Sequence, residues 1–358
     1  MKRALTILLA VAAVACTKTE VAYDNTQIGE IAFMPVSGNI TKAAVTDGIF
    51  TKTNHIGLFA YYTPDVPAGA DGATVSDYTK FTKTFFNDTE FYCPDNTKSI
   101  WAGLTPQYWP VTGSMVFAGY SLEPAGKANN VSFDRNGTAG YTLATDCLTI
   151  SNYVQSNITN STYDLLYFGR TDKSYGRNTI SVPVVFQHAL AWIEIQVKGD
   201  TGSLVDGRKW TITNVEFRKV NTKGTFTYTG TAGTAVWSAQ AEPKNVVVFN
   251  MDKAVIPGRL PKVLTDSFET IENVTNGTLV IPQTAQKLYV TVEYQSPAND
   301  HIVEVVEVDI PASTAAWEAG KKYTYQLTFS PQEILVAPTV QTWPTTGQSG
   351  YVTTTPSI

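Results

Sequence analysis

The sequence predicts an all-β protein built of antiparallel sandwiches, and three observations carry that expectation. Thr, Tyr and Val are abundant, while Gly, Asn and Pro interrupt the chain about every ten residues, the mark of many short strands. Apolar and polar residues alternate with period two in several runs. Side chains leave a strand on alternate faces, so each such run has one core face and one wetter face. Sustained helical periodicity is missing.

The first element is not part of the fold. Lys2 and Arg3 precede Ala4–Ala15, apolar apart from Thr6, and Cys16 follows directly. The run is too short for a bilayer, which takes about 20 residues, but it suits the apolar region of a signal peptide. With small residues at Ala13 and Ala15, residues 1–16 resemble a bacterial lipoprotein signal, whose cysteine becomes the acylated N-terminus. The alternative is an ordinary cleaved signal with an incidental cysteine, since Ala13 stands where such signals usually carry Leu. Either way the chain is exported.

Further along, Ile28–Val36 (IGEIAFMPV) is a strand candidate with Ile31 and Phe33 on one face. A polar loop, Ser37–Thr41, leads to Lys42-Ala43. Two apolar runs, Asp164–Phe168 and Val182–Leu190, are separated by polar Gly169–Thr179, which places a domain boundary near residue 180. Domains over 17–180 and 181–333 follow. In the second, Ala191, Ile193, Ile195 and Val197 face one way, with Trp192, Glu194, Gln196 and Lys198 opposite. Leu288, Val290, Val292 and Tyr294 repeat the pattern, as do Val306, Val308 and Ile310, then Tyr323, Tyr325, Leu327 and Phe329. Ala312–Ala319 has room for a short helical turn capped by Ser313 or Thr314. The piece 334–358 stands apart: Glu333–Trp343 is strand-like but broken by Pro338, and a polar tail follows.

Composition excludes several classes of function. The net charge of −5 argues against nucleic-acid binding, which needs clustered Lys and Arg. After Cys16 no apolar stretch approaches the roughly 18 residues of a membrane span. Cys93 and Cys147 could pair, but two cysteines are not a disulfide framework. His55, His188 and His301 lack metal-ligand spacing, and His188 reads as a hydrogen-bonded structural residue. No nucleophile elbow, phosphate loop or dinucleotide fingerprint occurs. Glu304 and Glu307 fall on opposite faces of one strand, so a glycosidase pair has no positive support. The expectation is a non-enzyme with no cofactor and no metal. Trp101, Tyr108 and Trp109 in WAGLTPQYWP admit two uses, a sugar-stacking platform or core packing.

Several stretches, in order, carry a family resemblance: Tyr108-Trp109-Pro110 with MVFAGY at Met115–Tyr120, DLLY at Asp164–Tyr167, VVFQHALAWIEI at Val184–Ile195, TITNVEF at Thr211–Phe217, and WEAGKKYTYQLTF at Trp317–Phe329 closing on Val340–Trp343. The chain resembles the fimbrillins of Bacteroidales, subunits of protease-assembled pili. The resemblance implies two tandem transthyretin-like antiparallel β-sandwich domains, lipoprotein export, an outer-membrane and fimbrial location, and a role in adhesion.

It also implies a mechanism in which a first strand fills a groove until a trypsin-like protease removes it after Arg or Lys. A strand from the next subunit's C-terminal region then takes the place, joining main-chain hydrogen bonds to side-chain pockets. Mapped here, the removable strand carries Ile31 and Phe33, and cleavage falls between Lys42 and Ala43, with Lys18 and Lys52 as competitors. The donor run carries Ile334, Val336 and Val340, and Cys16 is the lipidation site. Lys in place of the commoner Arg departs from the family pattern. Expected partners are other pilus subunits, outer-membrane lipid through the acyl group, a trypsin-like protease, and host or bacterial surface ligands. Two other readings stand beside this one. Ile334–Trp343 serves equally as the last strand of the second sandwich, and the whole chain as a glycan-binding surface lipoprotein or tip adhesin.

Overall fold

A computed structural model describes residues 29–35, 55–65, 72–94, 100–122, 137–155, 164–177, 179–200, 210–251, 262–271, 278–284, 287–295, 300–330 and 333–343. The molecule is all-β. Among the described residues the only helical pieces are three single 3-10 turns, Tyr78–Lys80, Leu143–Thr145 and Ala312–Thr314. The last falls where a short turn was expected.

The first half supplies β1 (Ala32–Pro35), β2 (His55–Thr63), β3 (Ala73–Thr74), β4 (Lys83–Tyr92), β5 (Trp101–Gly103) and β6 (Ser114–Leu122). It continues with β7 (Thr138–Thr142), β8 (Cys147–Val154), β9 (Leu166–Phe168), β10 (Lys173–Ser174), β11 (Val182–Val184) and β12 (Gln187–His188). The second half supplies β13 (Ala191–Gly199), β14 (Thr211–Thr229), β15 (Thr234–Asn250), β16 (Lys262–Val263) and β17 (Glu269–Ile271). It ends with β18 (Thr278–Val280), β19 (Lys287–Gln295), β20 (His301–Asp309), β21 (Lys321–Phe329) and β22 (Ile334–Thr342).

One sheet of eight strands runs β11-β1-β5-β4-β2-β6-β9-β12. Its two ends, β11 and β12, are nearly consecutive in the chain, so the sheet curls back toward itself. The inside of the curl is packed with aromatic rings, among them Phe33, Phe91, Trp101, Phe117, Phe168 and Phe186. Alternation along β2 explains how one strand serves two cores: Ile56, Leu58 and Ala60 point into the curl, while Phe59 and Tyr61 point to the opposite face.

The second half is a sandwich. A five-stranded sheet, β17-β13-β21-β22 with β18 also on β13, packs against a seven-stranded sheet ordered β20-β19-β14-β8-β7, with β15 and β16 on β14. Its core holds the inward faces that the alternation marked: Ile193, Ile195 and Val197, then Leu288, Val290 and Val292, then Tyr323, Tyr325 and Leu327. Pairing is antiparallel with two exceptions among the described ladders. β1 runs parallel to β11, and β13 parallel to β21. Parallel neighbours need long crossovers, and each of these pairs brackets more than a dozen residues of intervening chain.

The seven-stranded sheet contains strands from both sides of residue 180. β14 is 19 residues long and is hydrogen-bonded to β19 and β16 near its start, and to β8 near its end. Register shifts between Val215 and Glu216, Phe217 and Val220, and Lys223 and Thr225 mark β-bulges against β15, with Lys219 in left-handed backbone at the middle one. Bulges bend and twist a strand, which is how one strand reaches two cores. Side chains reinforce the joint. The Gln155 side-chain amide donates to the Leu279 carbonyl, the Ile281 N–H donates back to Gln155 Oε1 at 3.3 Å, and Trp237 Nε1 donates to the Ala189 carbonyl at 2.7 Å.

Candidate functional site

The N-terminal strand candidate lies inside the curled sheet. β1 pairs with β5 on one side, Ala32 opposite Ala102 and Phe33 opposite Trp101. On the other side β11 runs alongside, Phe33 opposite Val182 and Pro35 opposite Val184. Just before the strand, the Ile31 N–H donates to the Gln107 carbonyl at 2.6 Å, and the Trp109 N–H donates to the Gly29 carbonyl at 2.7 Å. Ile31 and Phe33 share the inward face, as their spacing requires, and both are fully buried. The Phe33 ring stands edge-on to Phe91 at 5.1 Å and to Phe117 at 4.9 Å. Preference for such T-shaped pairs follows from the positive edge and negative face of aromatic rings. Burial also raises the pKa of Glu30, the residue before Ile31.

In the eight-strand order β11 has only β1 as a neighbour. Taking β1 away leaves a slot flanked by two backbone edges, β5 and β11, above a pocket lined by Phe91 and Phe117. The pairing of β1 with β11 has no signal in the sequence, because nothing in Val182–Val184 marks a partner some 150 residues away; only its alternation hints at a strand.

The C-terminal candidate is an edge. β22 pairs with β21 along its whole length, Ile334 opposite Phe329 through Thr342 opposite Lys321. On the five-stranded sheet it is the outermost strand. Pro338, opposite Tyr325, lacks the N–H that a second neighbour would need and is therefore suited to an edge. Ile334 and Val336 are half-buried against the second core, whereas Leu335 is 53% and Val340 44% exposed. So Ile334 and Val336 act as core anchors here, and Val340 does not. β20, the outer strand of the other sheet, lies near the start of β22. Between them opens a groove of about 560 Å³, lined by Val306–Pro311 and Glu333–Val336.

Trp343, just past β22, is 4% exposed and fastened at the joint between the halves. Its N–H donates to the Gly320 carbonyl at 2.8 Å, and its ring stacks on His188 at 3.7 Å and 10°. His188 Nδ1 is in turn hydrogen-bonded to the buried Asp164 carboxylate. His188 is thus the structural histidine its context suggested, but its stacking on Trp343 could not be read from residues so far apart in sequence.

Other expectations fare differently. Trp101 and Trp109 are core residues, 2% and 6% exposed, and of that cluster only Tyr108 stands out, at 54%. The sugar-platform reading of WAGLTPQYWP therefore loses its two tryptophans to packing. Cys93 and Cys147 are not bridged; Cys93 is buried after β4, and Cys147 begins β8. Among the described residues no group of His, Cys, Asp and Glu is arranged to hold a metal ion. Cys16, Lys42 and Ala43 lie outside the described residues.

Comparison with known proteins gives this geometry a context. A profile described as fimbrillin-like matches residues 41–343. A solved fimbrial protein from Bacteroides vulgatus has the same fold at a TM-score of 0.56 and 17% identity, covering 88% of this chain and 99% of that one. A C-terminally truncated tip fimbrial protein from Porphyromonas gingivalis aligns over 88% of this chain and 100% of its own, at 9% identity and a TM-score of 0.36. No curated protein matches the chain by sequence.

Proposed function

The chain belongs to the fimbrillin-like family, and from that premise we propose that it is a structural fimbrial subunit, without catalytic activity, that polymerises by strand exchange. It is exported as a lipoprotein precursor, acylated at Cys16 and held at the outer membrane. A trypsin-like protease cuts between Lys42 and Ala43, and the lipid leaves together with β1. The vacated slot then takes the β22 segment of another copy, so the finished fibre carries neither Cys16 nor Phe33. In this way the subunit serves adhesion at the cell surface.

The observation that carries the reading is the seat of β1. The four strand residues join two backbone edges, Ala32 and Phe33 on β5 and Phe33 to Pro35 on β11, with Ile31 and Phe33 plugging the core beneath. Fully burying an Ile or Phe side chain stabilises by about 1.5–3 kcal/mol, so an empty slot is costly and a replacement strand is held firmly. Exposed strand edges pair with any strand offered, which makes the trimmed subunit assembly-prone.

Limited trypsin digestion of the precursor, followed by mass analysis and gels without denaturant, tests this. Loss of residues up to Lys42 together with a ladder of oligomers is the expected result. A chain trimmed at that point that stays monomeric at high concentration refutes the proposal.

A further inference from the structure

The two candidate strands share a pattern that neither the pairing nor the burial of either one required. Glu30–Pro35 reads EIAFMP and Glu333–Pro338 reads EILVAP. Glu, Ile and Pro recur at the same places, and the three remaining positions are apolar in both. In the first copy the Ile and the third apolar residue, Ile31 and Phe33, are the fully buried plugs. In the second, Ile334 and Val336 are the half-buried anchors on the matching face.

The recurring proline is placed by the backbone. β5 pairs with Ala32 and Phe33 only, whereas β11 continues to Pro35. The slot is therefore two-sided at Phe33 and one-sided at the proline. β22 is one-sided throughout, with Pro338 opposite Tyr325. A proline is tolerated where one side of the strand is unladdered and harmful where both sides need an N–H. Sliding the donor back by two residues would put Pro338 at Phe33's place, opposite both Trp101 and Val182, and break the two-sided part of the ladder.

We infer that β22 enters the slot in one register: Ile334 in the place of Ile31, Leu335 of Ala32, Val336 of Phe33, Ala337 of Met34 and Pro338 of Pro35. The inference rests on the strand-exchange reading above and adds the partner's register to it. On the outer face a small and a large residue trade places, Ala32 and Met34 giving way to Leu335 and Ala337. On the inner face Val336 fills the Phe33 pocket incompletely. The protein's own first strand is thus the better plug, and it must be cut away before the donor can compete.

A cross-link reads the register directly. In the trimmed chain Leu335 of one copy would lie opposite Ala102 of the next, as Ala32 does in the precursor. A disulfide needs Cα atoms about 4.4–6.8 Å apart, which directly opposed antiparallel residues provide. The full chain carrying Ala102→Cys and Leu335→Cys is trimmed with trypsin, allowed to polymerise and oxidised, beside Ala102→Cys with Ala337→Cys and the Ala102→Cys single variant. Covalent ladders from the Leu335→Cys pair alone are expected. Polymers that cross-link through Ala337→Cys instead, or through neither pair, overturn the register while leaving strand exchange standing. A chain that never polymerises after trimming overturns the strand-exchange reading and the register with it. A synthetic peptide of residues 331–343 offers a second readout on trimmed chain. Val336→Phe should slow its dissociation about tenfold or more, on the scale of the extra apolar area buried. An unchanged rate counts against Val336 as the plug.

Discussion

Replacing Phe33 by Ala in the untrimmed precursor probes the seat of β1 most directly. The ring is fully buried, with its neighbours Phe91 and Phe117 at 5.1 and 4.9 Å on either side. Truncating a buried Phe to Ala typically costs 3–5 kcal/mol, including the void that remains. Aromatic pairs add about 0.5–1.5 kcal/mol each beyond area, so two lost pairs put this site in the upper half of that range. A loss of about 4–5 kcal/mol lowers the folding equilibrium constant about a thousandfold, a large part of the 5–15 kcal/mol that domains usually have. Equilibrium urea unfolding is the assay, with Phe85→Ala as the reference because that side chain is 39% exposed. The midpoint should fall sharply for Phe33→Ala with the slope unchanged, and by less than about 1 kcal/mol for Phe85→Ala. Equal and small losses would refute the claim that Phe33 is wedged into a pocket with no freedom to collapse.

Three further outcomes are expected. Trp343→Ala removes the ring stacked on His188 and should cost about 3–5 kcal/mol, with amide exchange rising along β22 before other strands. Gly230→Ala would bring a Cβ within 1.6 Å of Asp146 Oδ2, displacing a carboxylate that accepts from the Arg170 N–H at 2.7 Å and the Tyr141 hydroxyl at 2.8 Å. A destabilisation of about 1–3 kcal/mol in urea unfolding is expected there. Burial pushes Tyr325 up to about 12 from 10.0, so the folded state favours the protonated phenol. Its contribution is intact below pH 10 and is lost as pH rises through 12, so urea midpoints should fall across that window. Tyr325→Phe should flatten the fall, while costing about 1–3 kcal/mol at neutral pH because the Trp317 Nε1–H loses its acceptor at 2.9 Å.

Period-two alternation made much of the fold legible. It placed Ile193, Ile195 and Val197 inside, as well as Leu288, Val290 and Val292, because a strand with one wet face must alternate. Ile31 and Phe33 were legible for the same reason. Partnership was not. β1 lies between β5 and β11 because of contacts distant in sequence, and a pattern local to one strand has no information about its neighbours. The aromatic run at Trp101–Pro110 left two uses open, since stacking residues on a platform and packing residues in a core have the same composition, and burial of Trp101 and Trp109 decides for packing. The polar stretch Gly169–Thr179 reads as a linker, yet β14 from beyond it pairs with β8 from before it. Bulges that let one strand reach two cores leave only faint traces, here a broken alternation around Arg218-Lys219.

Two-domain chains commonly rock about their connection. In this subunit the 19-residue β14 is laddered to strands of both halves, and the Gln155 and Trp237 bridges lie beside it. Bending the molecule at its middle would shear that ladder rather than open a linker. In the fibre proposed above, the joints between copies, which have no such shared ladder, are where give is expected.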